Sequence, residues 1–153
     1  MVLAAPLTRA EDTRILHRAT TYSCASEEST FLSLAYKSLD IPKRFVTIRE
    51  DGALVVNEIE VSWHKLGPAE FVVFPGEPSP EYSVMAKQRM DAPFRFAVAQ
   101  GNDSIGYMVE PRSLAADPSG QLAGYENLMG LGSGSGPAAW AALEGQGWFD
   151  GAW

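Results

Sequence analysis

Side chains that bind soft metals are scarce in this chain: its 153 residues include two histidines and one cysteine. A single cysteine cannot close an internal disulfide and matches no zinc-module spacing, which excludes both kinds of small stapled scaffold. Cys24 is therefore expected to be a small buried side chain. Basic residues are also few, 12 Lys and Arg against 19 Asp and Glu, giving a formal net charge of −7 and a pI near 4.8. They are scattered (Lys37, Lys43, Arg44, Arg49, Lys65, Lys87, Arg89), so no run tracks a phosphate backbone. Nucleic acid and anionic membrane are excluded as main partners. No stretch approaches the roughly 20 apolar residues of a transmembrane segment. Met1 to Pro6 is too short for a signal-peptide core and is followed at once by Arg9, Glu11 and Asp12, so the chain, if complete, is expected to stay in the cytoplasm where it is made, and its compartment is otherwise undecided.

Two catalytic loop patterns are missing as well. The run Gly130-Leu131-Gly132-Ser133-Gly134-Ser135-Gly136 lacks the Gly-Lys-Ser/Thr ending of a phosphate loop. Neither Ser133 nor Ser135 has glycine at both −2 and +2, as a nucleophile elbow requires. A flexible or substrate-covering loop is the expected role.

What the chain does have is apolar content, 46% hydrophobic against 20% charged residues, enough for one folded domain with a core. We divide it into an N-terminal arm (1–25), a single α/β domain (26–144) and a Trp- and Gly-rich tail (145–153). Ser26, Glu27 and Glu28 suit a helix start, and Phe31, Leu34, Ala35 and Leu39 continue a helical stripe to Asp40. Pro42 ends it by disfavouring the α conformation at Ile41. Arg44 to Arg49, then Asp51-Gly52, then Leu54 to Lys65 read as strand, turn, strand. Ile59, Val61 and Trp63 share one face of the second strand, while Glu58, Glu60, Ser62 and His64 share the other. His64 is expected to be a solvated strand histidine, and His17 lies between Arg14 and Arg18 with no partner in view.

Gly67-Pro68 leads into Glu70 to Phe74, apolar on both faces and so a central strand, stopped by Pro75-Gly76. Ser79-Pro80-Glu81 predicts a helix entry with a hydroxyl cap, proline at the first position and an acid in the first turn. Tyr82, Met85, Ala86 and Met90 form its inward face, Pro93 ends it, and Phe94 to Ala99 is the next strand. Strand, helix and strand in this spacing predict a right-handed crossover between two parallel neighbours. Glu77 and the turn Gly101 to Tyr107 then both follow the carboxyl ends of adjacent strands, where open α/β sheets hold their sites. A carboxylate and a phenol so placed look like half of a metal site. Each also has a structural role open to it, an acid before a helix dipole and a ring covering the core edge. Farther on, Asp117 to Gly120 reads as a loop and Pro137 to Glu144 as a short helix.

Three segments in series carry a family resemblance: Phe71-Val72-Val73-Phe74-Pro75-Gly76-Glu77, then Gly101-Asn102-Asp103-Ser104-Ile105-Gly106-Tyr107, then Gly124-Tyr125-Glu126 before a glycine-rich stretch. In order and approximate spacing they resemble the C-terminal half of the neutral/alkaline ceramidase catalytic domain, over roughly residues 28–142. The resemblance implies an α/β mixed sheet that is part of a larger domain. It also implies a zinc-dependent hydrolase cutting ceramide to sphingosine and a fatty acid. Glu77 and Tyr107 would be Zn2+ ligands, and Tyr125 would stabilise the oxyanion. The family's two histidine ligands and its substrate-binding arginine belong to segments upstream of this region. A partner chain carrying the N-terminal half, or a homo-oligomer, is thus expected to complete the site. The alternative is a non-catalytic truncated relative acting as a binding or assembly module. In either case the sheet should expose an apolar face or edge where the absent half would pack.

Overall fold

The computed structural model describes residues 14–27, 31–39, 45–112 and 121–148. The apolar N-terminus, the Pro42 helix stop, the Asp117–Gly120 loop and the last residues of the tail lie outside them. The architecture is α/β with a mixed sheet. Strands β1 (Ile15–Ala25), β3 (Leu54–Leu66), β4 (Ala69–Val73) and β6 (Phe94–Val98) lie side by side in that order, with β2 (Val46–Ile48) paired to the start of β3. β1–β3 and β3–β4 are antiparallel, whereas β4 and β6 are parallel and joined through α2 (Pro80–Arg89). The expected crossover and the central position of β4 are both present.

One boundary is corrected. Residues 15–25, assigned from sequence to an arm, form strand β1, paired along most of its length to β3. Inside β1–β3 the pairing steps from Tyr22–Ile59 to Cys24–Val56, so β3 carries one extra residue there. Glu58 takes a left-handed φ of 57° at this bulge, and the period-2 alternation resets across it. Leu54 and Val56 therefore face inward together with Ile59, Val61 and Trp63, all at most 5% exposed.

The inner face of the sheet packs on α2 and on α4 (Ser135–Glu144). Val61, Trp63, Val72 and Phe74 meet Tyr82, Ala86 and Met90 from the first helix and its end, and Ala139, Trp140 and Leu143 from the second. Each large side chain buried here stabilises the fold by about 1.5–3 kcal/mol. Trp148, placed in the tail by sequence, is 3% exposed and belongs to this core. Cys24 is buried as expected, and burial pushes its thiol up to about 11. Ser79 does sit at the N-cap of α2, but its hydroxyl makes no cap bond; it accepts the backbone N–H of Glu110 instead, 3.0 Å away. Glu70, 4% exposed on the inner face, is matched by Lys65 at 3.1 Å. The stripe expected on α1 (Phe31–Ser38) is not packed away: Phe31 and Leu34 are exposed, as is Leu39 just beyond it.

The outer face differs across its width. Cross-strand rows place Ile15, Leu66, Ala69 and Phe94 together, then His17, His64, Phe71 and Phe96, then Ala19, Ser62, Val73 and Val98. Phe94, Phe96 and Val98 are exposed, and Phe96 stacks on Phe71 with ring centroids 4.8 Å apart. The β4–β6 side of this face is apolar and open and continues through Leu66 and Ile15, whereas the rest of the β1–β3 side is polar. Among the described residues no helix is long and apolar enough to cross a membrane.

Candidate functional site

At the carboxyl end of the β4–β6 pair the chain forms a second, two-stranded parallel sheet from β5 (Glu77–Pro78) and β7 (Tyr107–Met108), with Glu77 and Tyr107 directly opposite. Backbone bonds fix that register: Phe74 N–H to Val98 O, Gly101 N–H to Phe74 O, Gln100 N–H to Gly76 O, Ile105 N–H to Pro75 O and Glu77 N–H to Gly106 O. Glycine is required at two points. A Cβ on Gly76 would lie 2.3 Å from Gly106 O, and Gly106, at φ 78°, would place one 1.9 Å from Met129 O. These close approaches bring the turn between β6 and β7 onto both β5 and the end of α3 (Gln121–Leu128). Tyr107 bridges in parallel to Gly130 and donates its N–H to Met129 O.

The three residues singled out from sequence meet at this point. The Tyr107 hydroxyl is hydrogen-bonded to the Glu77 carboxylate, which raises the phenol's pKa above its ordinary value because ionisation would forfeit the bond and set two negative charges together. Tyr125, on α3 and 60% exposed, meets the Tyr107 ring edge-on with centroids 5.8 Å apart. Glu77 Oε1 accepts a second bond from Gln100 Nε2. Gln100 and Asn102 are both non-glycine residues at positive φ, 54° and 71°. Such strain persists where side chains are held to a task, and here Asn102 donates to Glu60 Oε1 (2.8 Å) and Ser62 Oγ (3.0 Å). Sequence reading passed over Gln100 and Asn102, although their place beside Gly101 in the turn was a signal.

A zinc shell takes about four donors, usually imidazole, thiolate or carboxylate. Glu77 and Tyr107 offer two adjacent oxygens. Among the described residues no three His, Cys, Asp or Glu side chains gather into a metal-holding group, so the shell is not closed within them. The histidines are engaged elsewhere. His17 and His64 face each other across β1–β3 with their Nδ1 atoms 3.1 Å apart, and His64 Nε2 lies 3.0 Å from Ser62 Oγ. This corrects both expectations for them: His17 has a partner, and His64 is not merely solvated. Burial, then the neighbouring His17, lowers the pKa of His64 against the opposing pull of Glu60.

The serines of the glycine run have structural partners. Ser133 donates its N–H (2.8 Å) and Oγ (2.6 Å) to Glu27 Oε1, which holds that carboxylate below its usual range. Ser135 is buried and donates to the Gly132 and Tyr107 carbonyls. Both hydroxyls are committed to these acceptors, Ser133 to the Glu27 carboxylate and Ser135 to backbone carbonyls, so the run anchors the site from behind.

Compared with protein-family models, with curated proteins and with solved structures, the chain matches none of them.

Proposed function

We propose that this chain carries the oxygen-donor half of a zinc-dependent amidase site of the neutral-ceramidase kind, with Glu77 and Tyr107 as ligands and Tyr125 as the oxyanion donor. Histidines from a partner chain, a second copy or further sequence complete it. The observation that carries the reading is the meeting of Glu77, Tyr107 and Tyr125, from three separate segments, at the end of the β4–β6 pair. When bound, the metal would polarise the amide carbonyl and lower the pKa of an attacking water. The chain's own residues have simpler tasks. Gln100 holds one Glu77 oxygen in place, and the backbone frame around Gly76 and Gly106 fixes the distance from β5 to β7. Tyr107 keeps its proton against the Glu77 carboxylate, and a bound cation would lower the phenol's pKa. Tyr125 stands at the exposed rim, where a substrate carbonyl can approach; a hydroxyl donor in that role supplies about 3–4 kcal/mol of barrier lowering. The substrate class is an N-acyl amide such as ceramide, released as an amine and a fatty acid.

The test is a zinc titration followed through the tyrosine absorbance band, for the chain alone and mixed with candidate histidine-bearing partners. Zinc uptake with ionisation of one tyrosine, lost in Tyr107→Phe and Glu77→Gln, is the expected result, together with amide hydrolysis in the mixture. Protein that takes up no zinc through these residues, even beside such partners, overturns the enzyme reading.

A second reading rests on a different observation. The open apolar face at Phe71, Phe94, Phe96 and Val98 suits a non-catalytic assembly module. Stable association without zinc and without hydrolysis would favour it.

A further inference from the structure

We infer that His17 and His64 form a cross-strand chelate for a late divalent transition metal such as Zn2+, separate from the Glu77–Tyr107 pair. The two imidazoles stand directly opposite on β1 and β3. Their Nδ1 atoms are 3.1 Å apart. Two nitrogens bound to one ion at about 2.0–2.1 Å, at angles between square and tetrahedral, lie roughly 2.9–3.4 Å apart. The bite is therefore already set. The ring centroids are 4.6 Å apart with the planes tilted by 31°. Sharing an ion asks for roughly 5 Å, which the exposed His17 ring reaches by a small rotation about its side-chain torsions.

The surroundings match what a ligating histidine requires. Such a ring donates its second N–H to a fixed acceptor, which sets its tautomer. His64 Nε2 lies 3.0 Å from Ser62 Oγ, and Ser62 is fully buried and also receives the Asn102 amide at 3.0 Å. With two lone pairs, Ser62 Oγ accepts both N–H groups and leaves His64 Nδ1 unprotonated toward His17. In that tautomer the proton between the facing nitrogens is carried by His17, and a bound ion would require it on the other nitrogen of that ring. Charge favours the cation as well. Glu60 projects on this same outer face, held by Asn102, and the Asp103 carboxylate accepts the Glu60 N–H at 3.2 Å. Arg18 and Lys65, the nearest basic residues along β1 and β3, alternate to the opposite face. Solvent completes the shell, so the ion binds reversibly. It clips the outermost strand β1 to β3 and raises the stability of the fold with ion concentration.

Zinc titrated calorimetrically into the full chain carrying Glu77→Gln and Tyr107→Phe, which removes the other proposed ligand pair, tests this, with melting temperature measured in parallel. One Zn2+ per chain and a melting temperature that rises with zinc are expected. His17→Gln, on an exposed strand position, should fold normally and lose at least tenfold in affinity together with the melting shift. Ser62→Ala should lose about tenfold through the outer shell. Absence of uptake by the Glu77→Gln, Tyr107→Phe chain, or uptake by it that survives His17→Gln, overturns the inference.

Discussion

The missing Cβ of Gly106 decides whether the candidate site exists. Its φ of 78° suits glycine, and an added methyl would meet the Met129 carbonyl oxygen at 1.9 Å. Backbone at that point cannot yield without parting β7 from the end of α3, and with it Tyr107 from Tyr125. Gly106→Ala should therefore destabilise the fold by about 2–4 kcal/mol, the left-handed penalty plus overpacking, read as a lower denaturant midpoint. The variant should also lose the Tyr107–Tyr125 contact, visible in near-ultraviolet dichroism. A second residue-scale consequence concerns Glu27. Its folded pKa is lowered by the Ser133 hydroxyl and N–H and by Asn127, so the unfolded chain holds its proton more tightly. The stabilisation is complete above the ordinary carboxylate range and is lost as pH falls through the lower folded value. Glu27→Gln should accordingly weaken the protein at neutral pH, and the gap to wild type should close as pH drops below about 4. Urea midpoints measured across that range check the sign; a gap that widens in acid would contradict it.

At the scale of elements, β3 is organised by its bulge. The extra residue at Asn57–Glu58 lets five apolar side chains on one strand face the same core. Deleting Glu58 removes the extra residue and sets Val56 two positions from Ile59, so simple alternation should keep all five side chains inward. The variant should therefore still unfold cooperatively in thermal denaturation, whereas turning even one of these side chains outward would cost about 1.5–3 kcal/mol; loss of cooperativity would contradict this reading of the bulge. Sequence alternation located Ile59, Val61 and Trp63 but not the reset before them, because nothing about Glu58 announces a left-handed residue. The β4–α2–β6 unit was legible because Pro75-Gly76 and Pro93 mark its joints and Val72 to Phe74 is apolar without interruption. That is also why Glu77 and Tyr107 could be placed at adjacent strand ends. β1 was not legible: its inward row is Leu16, Arg18, Thr20 and Tyr22, too polar to register as a buried period of two. Since His17 lies on that strand, its pairing with His64 was hidden along with it. Gln100 and Asn102 escaped for another reason. Their roles depend on backbone at positive φ and on partners far away in sequence.

For the molecule as a whole, the unequal outer face matters most. Helices α2 and α4 cover the inner side of the sheet, while the β4–β6 side of the outer face leaves Phe94 58%, Phe96 44% and Val98 38% exposed, continuous with Leu66 and Phe71. β6 also lies at the end of the strand order, so its outer backbone groups are a template for pairing. Apolar area of this kind beside an edge that is unpaired among the described residues favours association with a second copy. Sedimentation velocity should show concentration-dependent association of the purified chain. Phe96→Lys should suppress it by placing charge at the centre of the patch, and should lower stability by only about 0.5–1.5 kcal/mol through loss of the Phe71 stack. If the wild type sediments as a monomer throughout the micromolar range, this face does not drive self-assembly. A wild type that associates together with a Phe96→Lys variant that does not would put the interface on the outer face, the opposite side of the sheet from the helices.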